Sequence, residues 1–219
     1  MRYYRYSMNM KLLNVFCVLI FIPAFLLICL LGACSDVNFT ALVLYFFWMF
    51  LHEILHGIGF SLGKGVKHKN IIYGANLEKG IFYCMCKGFI SKKDIMISLM
   101  FPFFFIGVVT LVIGLAISNN LLIILSLLNI AGCAGDIAMF CSFVKLPDFK
   151  YIDLDDCIGF VLVSDSDLSK YKLFGLDVVE EGKAKDLELA KDYKKITISK
   201  LSWIIFALLF LTLIVSFIM

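Results

Sequence analysis

Five apolar runs dominate this 219-residue chain, at about residues 12–33, 40–62, 95–117, 121–144 and 201–219. Each is long enough to cross a hydrocarbon core, which takes about 20 helical residues at 1.5 Å rise. Hydrophobic residues make up 62% of the chain and charged residues 17%, an apolar excess beyond what a water-soluble core absorbs. The expected fold is an all-α polytopic membrane protein with about five transmembrane helices. A net charge of +3 without a basic, aromatic-interleaved stripe argues against a nucleic-acid partner. The partners expected instead are the lipid bilayer and a membrane protein or peptide substrate; the oligomeric state is left open.

Basic residues give the orientation. All 20 Lys and Arg fall before the first run, between the second and third, or between the fourth and fifth. The connections SDVNFT and SNN carry none. The chain is therefore expected in a plasma (inner) membrane, multi-pass, with its amino terminus cytoplasmic and its carboxyl terminus outside. Three parts follow: a membrane core over 1–144, a charged cytoplasmic segment over 145–200, and a last helix over 201–219. The tetrad Leu31-Gly32-Ala33-Cys34 is also similar to a lipoprotein cleavage site. The preceding run is longer than the 7–15 residues of a signal-peptide core, so retention as a span is the expectation.

Only four Asp, Glu, Lys, Arg or His residues lie inside these runs: His52, Glu53, His56 and Asp136. Each intramembrane charge costs at least about 2.5–3.5 kcal/mol on insertion scales, so such residues are functional candidates. Three of them spell His52-Glu53-Ile54-Leu55-His56, the HExxH pattern. On a helix the two histidines sit about 40° apart and aim at one point, and Glu53 can hold a water there. A catalytic zinc needs a third protein ligand and an open position. Asp136 is the remaining intramembrane carboxylate, about 22 Å below the outer end of its run, against about 21 Å for the histidine pair.

Asn129, Cys133 and Asp136 follow i, i+4, i+7 and share a helical face, with Gly132 and Gly135 beside them. The glycines are expected to let helices approach closely. Asn129 could bind substrate backbone or steady an oxyanion, or make an interhelical hydrogen bond. Cys133 could replace Asp136 as a ligand, or simply pack. The four charged residues could also form a structural cluster without catalysis.

Together these residues resemble the bacterial putative zincin peptidase family, membrane metallopeptidases distantly similar to the site-2 proteases. The resemblance rests on LHEILHGIGF over 51–60, SLMFPFFF with Pro102, NIAGCAGDIAMF over 129–140 and KLPDF over 145–149. It implies His52, His56 and Asp136 as ligands of Zn²⁺ and Glu53 as the catalytic acid/base. Site-2 proteases usually carry Asp-Gly after an Asn-Pro pair; here Ile137 follows Asp136 and no Pro follows Asn129.

The first inner connection reads as a β-hairpin flanking residues 74–80, either an edge for an extended substrate strand or a basic interfacial loop. Cys84-x-Cys86 near His68 could form a second metal site but lacks a fourth ligand. Within 145–200, YIDLDDCIGFVLVSD suggests one or two short strands and VVEEGKAKDLELAKDYKKI a solvated helix. That segment reads as a gating or docking element, or as a linker. The function expected is intramembrane zinc-dependent hydrolysis of a peptide bond near the cytoplasmic face. The alternative is a non-catalytic membrane protein that carries or senses a metal ion through the same cluster.

Overall fold

The computed structural model describes residues 1–36, 38–63, 66, 68–76, 81–154 and 159–184. Strand β1 (Arg2–Met8) leads into α1 (Met10–Leu30) and then α2 (Phe39–Ser61). A hairpin follows, β2 (Ile71–Asn76) against β3 (Ile81–Cys86), antiparallel from Ile71↔Cys86 to Asn76↔Ile81. The short strand β4 (Ile90–Ser91) opens α3 (Lys92–Pro102), capped by the Ser91 hydroxyl accepting from the Asp94 amide. A π-helical stretch over Phe103–Val109 joins α3 to α4 (Thr110–Ala116), and α5 (Asn120–Gly132) meets α6 (Ala134–Val144) at Cys133. Strands β5 (Lys150–Asp153), β6 (Gly159–Ser164) and β7 (Leu176–Lys183) complete the described chain.

The all-α expectation with about five transmembrane helices is wrong. An antiparallel five-stranded sheet, ordered β4-β5-β6-β1-β7, stands beside the helices. Among the described residues two helices are long and apolar enough to cross a membrane, Phe39–Ser61 and Lys92–Ala116. A third span exists if α5 and α6, bent by 46° at Cys133, count as one. The first run yields a shorter apolar stretch, Val15–Leu30, within α1. The fifth expected span, 201–219, lies outside the described residues.

Hydropathy read over about 20 residues cannot see short strands, so β1, β4 and β7 were not anticipated, whereas the short strands expected in YIDLDDCIGFVLVSD are present as β5 and β6. RYYRYSM looks like a basic flank, yet its alternation puts Tyr4 and Tyr6 on one face, both fully buried. Tyr6 stacks on Phe160 at 5.4 Å, and Phe160 on Tyr151 at 5.1 Å. Phe143 of α6 meets Phe160 edge-on at 5.6 Å. One hydrophobic core therefore joins this sheet face to Phe60 of α2, Leu99 of α3 and Met139 of α6. The opposite face carries a smaller cluster of Tyr3, Ile152, Val161 and Val163. The start of the expected solvated helix, VVEEGK, is instead part of β7, because β1 offers an edge and Val178-Val179 suit a strand. The rest of that helix, from residue 185, lies outside the described residues.

This arrangement places the sheet and hairpin at one end of the helices. β1 precedes α1, β2 follows α2, β4 precedes α3 and β5 follows α6. The site sits where the helices meet that layer.

Candidate metal centre

The second half of α2 is held from two sides by glycines that the motif contains. A Cβ on Gly57 would lie 1.9 Å from the Tyr73 hydroxyl, so the hairpin docks its Tyr73 ring on the notch that Gly57 leaves. A Cβ on Gly59 would lie 2.6 Å from the Ser98 Cα, so α3 packs backbone to backbone on the other side. His52, Glu53 and His56 are thereby fixed between the hairpin and α3.

Backbone and amide groups set the histidine tautomers. His56 Nδ1 lies 2.8 Å from the Ser98 carbonyl oxygen, which can only accept, so Nδ1 carries the proton and Nε2 a lone pair. Asn129 Nδ2 donates to the Pro102 carbonyl at 3.3 Å, which turns Oδ1 toward His52 Nδ1 at 3.0 Å. His52 Nδ1 must then donate, and its Nε2 also presents a lone pair.

Those two lone pairs meet. His52 Nε2 and His56 Nε2 are 3.0 Å apart, and Asp136 Oδ2 lies 3.3 Å from the first and 3.5 Å from the second. With both rings neutral these three atoms are all acceptors, and a cation completes such a set. A tetrahedral ion bound at 2.0–2.2 Å holds its ligand atoms about 3.3–3.6 Å apart, close to this triangle. The donor set and its spacing therefore fit zinc. Among the described residues this is the one group of three such side chains that converges.

The break at Cys133 has a local consequence for Asp136. It gives α6 its own N-terminus, and Asp136 lies in its first turn, where unpaired amides favour a carboxylate. Gly132 and Gly135 do not clamp neighbouring helices as expected. A Cβ on Gly135 would meet nothing within 4 Å and one on Gly132 would just touch the Tyr45 hydroxyl at 3.4 Å. Both line the cleft beside Asp136 instead. Cys133 places its Sγ 3.9 Å from His52 Nδ1, on the ring edge away from the three-acceptor triangle. Asn129 is buried, with its amide engaged by His52 and Pro102.

The triangle opens into a cleft of about 380 Å³ walled by β3, α3, α6 and the sheet. Glu53 lines it, and the backbone N–H of Cys84 donates to the Glu53 carboxylate. A larger apolar groove of about 560 Å³, along Met96, Met100, Phe104 and Phe140, contains none of the candidate residues.

Sequence reasoning missed the cleft's other carboxylate. Asp153 was one acid among many in the segment after residue 145, yet it lines the cleft. Its Oδ1 accepts from the Tyr151 hydroxyl at 2.6 Å and its Oδ2 from the Cys86 amide at 3.0 Å. Burial pushes its pKa up to about 6, against those two hydrogen bonds, and burial also raises the Tyr151 hydroxyl well above its usual value. The alternation Tyr151-Ile152-Asp153 was the available signal. Burial raises the Cys84 thiol and takes Cys86 to about 12, so neither is poised as a thiolate ligand.

The comparisons agree with this geometry. No curated protein and no solved structure matches the chain. A family model described as putative zincin peptidase matches residues 45–150, a stretch that includes both histidines, Glu53 and Asp136. Over residues 45–150, a little under half of its length, the chain is similar to the putative zincin peptidase family.

Proposed function

We propose that this protein is a zinc metallopeptidase that hydrolyses a peptide bond of a membrane or membrane-proximal substrate, close to the cytoplasmic end of its helices. The observation that carries the reading is the three-acceptor triangle of His52, His56 and Asp136 beside Glu53. The likeness of residues 45–150 to the putative zincin peptidase family supports the same chemistry.

Zinc held by His52, His56 and Asp136 would supply Lewis acidity, polarising a carbonyl and lowering the pKa of water toward about 7. Glu53 acts as general base toward the attacking water and returns the proton to the departing amine. Cys84, donating its backbone N–H, keeps the Glu53 carboxylate directed into the cleft. Ser98 and Asn129 hold the two imidazoles with Nε2 outward, Ser98 through its carbonyl and Asn129 through its side-chain oxygen. Asn129 acts here on His52; a direct contact with substrate requires its Oδ1 to leave that histidine. Glu53 and Asp153 occupy the amides of Cys84 and Cys86, so an extended substrate strand laid along β3 pairs through the carbonyls of that edge rather than those two amides.

Membrane placement rests on charge and apolar surface. Arg2, Arg5, Lys92, Lys93, Lys145 and Lys150 lie on the sheet side, and the connections at the other helix ends carry no Lys or Arg. On α1, Val15, Val18, Leu19, Ile22 and Leu26 are more than half exposed, as lipid contact requires. In this reading the sheet faces the cytoplasm and water enters the cleft from there.

Glu53→Gln is the test. The variant keeps stoichiometric zinc and loses proteolysis, so uncut membrane proteins accumulate in its membrane proteome relative to wild type. Zinc binding with an unchanged proteome points to a metal carrier or sensor. A wild type without zinc, and a His52→Ala variant of the same metal content, overturns the reading.

A further inference from the structure

The hairpin β2–β3 touches the rest of the molecule in two kinds of place. Tyr73 docks in the Gly57 notch of α2, and the cleft-side edge of β3 meets carboxylates. Amides two residues apart on a strand point the same way, about 6.6–6.8 Å from each other. On β3 those amides are Cys84, which donates to Glu53, and Cys86, which donates to Asp153. The second carboxylate is itself anchored. Asp153 ends β5, paired with Phe160 of β6 in the five-stranded sheet, and the Tyr151 hydroxyl holds its other oxygen.

We propose that Asp153 is a positioning residue for Glu53: by holding the Cys86 amide it fixes β3 against the five-stranded sheet, and β3 in turn holds the Glu53 carboxylate through the Cys84 amide. The proposal rests on the peptidase reading above and names a residue beyond the segment that the family matches. Glu53 belongs to α2, Asp153 to the sheet, and β3 is the common strand between them. Asp153 donates no ligand atom to the three-acceptor triangle and takes no part in proton transfer. Its contribution is the distance between β3 and the base. Removing outer contacts of this kind typically costs about 10–100-fold in site affinity or activity.

The experiment has two arms, both on the full-length protein in nanodiscs. In the first, residue-resolved amide hydrogen exchange is followed in the metal-free wild type, Asp153→Ala and Asp153→Asn. The Ala variant accelerates exchange at Cys86 and also at Cys84, by about tenfold, while Asn, which keeps an acceptor oxygen, restores most of the protection. In the second, zinc-loaded protein is titrated with acetohydroxamic acid, which chelates zinc and shares its proton with an adjacent carboxylate. Asp153→Ala weakens hydroxamate binding about tenfold when Glu53 is present and leaves it unchanged in a Glu53→Ala background. Acceleration confined to Cys86, or equal weakening in both backgrounds, overturns the proposal, because β3 then transmits nothing to Glu53. Failure of the wild type to bind zinc overturns the peptidase reading and the catalytic meaning of the contact with it. The metal-free exchange data tell that failure apart from the others.

Discussion

Asn129 Oδ1 lies 3.0 Å from Nδ1 of His52, and the same amide reaches back to the Pro102 carbonyl at the start of the π-helical stretch. The orientation of one candidate ligand is thereby tied to a helix irregularity on another element. Asn129→Ala frees the His52 ring to rotate and to change tautomer. Zinc affinity is expected to fall about 10–100-fold with the fold intact. Asn129→Asp, which retains the acceptor, holds affinity closer to wild type. Chelator competition on the purified protein measures both.

Packing predicts opposite outcomes for Gly59 and Gly135. Gly59→Ala drives a methyl group into the Ser98 backbone, with only 2.6 Å available, and α3 must shift. Overpacking of this kind costs about 1–3 kcal/mol and also disturbs the His56 contact with the Ser98 carbonyl. Gly135→Ala meets open cleft, so its thermal midpoint stays near wild type. Thermal unfolding of the two variants in one detergent decides the matter, and equal destabilisation would contradict the packing.

Much of the centre was legible because the HExxH spacing is local. Two imidazoles at i and i+4 share a helix face whatever surrounds them. Asp136 was legible for a different reason, as a carboxylate with no solvent in an apolar run. The bend at Cys133 and the Asn129–His52 contact were not, since both depend on which helix faces which. The sheet was less legible still. β1 pairs with β6 across more than 150 residues, Arg2↔Ser164 through Ser7↔Gly159, and no local pattern announces such a partner. Asp153 was hidden by the same non-locality, because its value comes from β3.

Acid should stabilise the metal-free protein through Asp153. Its folded pKa of about 6 stands above the unfolded value of about 3.9, so the folded state binds more protons between those limits. Stability therefore falls as pH rises from about 4 through about 6, by roughly 2–3 kcal/mol if the whole shift is expressed. Asp153→Asn removes this component. The wild-type-minus-variant difference in thermal midpoint should be most favourable to wild type near pH 4 and decline until about pH 6. A difference flat over that range would show that Asp153 titrates normally.

The amino terminus should survive maturation. Cleavage before Cys34 would remove β1, which lies between β6 and β7 and buries Tyr4 and Tyr6 in the core shared with α2, α3 and α6. Losing one such aromatic side chain costs about 3–5 kcal/mol, and cleavage would lose both together with their strand. Intact-mass analysis of protein purified through a carboxyl-terminal tag is expected to find the Arg2–Met8 segment attached and Cys34 without diacylglycerol. Recovery of a stable chain starting at Cys34 would show that the sheet forms without its inner strand.

Cys133 and Asp136 compete on paper for the third ligand position, and the geometry separates them. Asp136 Oδ2 faces both Nε2 atoms, whereas Cys133 Sγ approaches the Nδ1 edge of His52 and the Asn129 amide. Cys133 cannot enter the triangle without turning His52 over, which would break the His52–Asn129 hydrogen bond. Cys133→Ala is therefore expected to keep one zinc per chain, with affinity lowered at most a few-fold by the small cavity left behind Asn129. Asp136→Ala leaves two imidazoles and should lose zinc during dialysis against a weak chelator. Cobalt substitution adds a spectral check, because a thiolate ligand gives an intense near-ultraviolet charge-transfer band. That band should be absent from the wild type; its presence, abolished by Cys133→Ala, would move the third ligand from the carboxylate to the thiol.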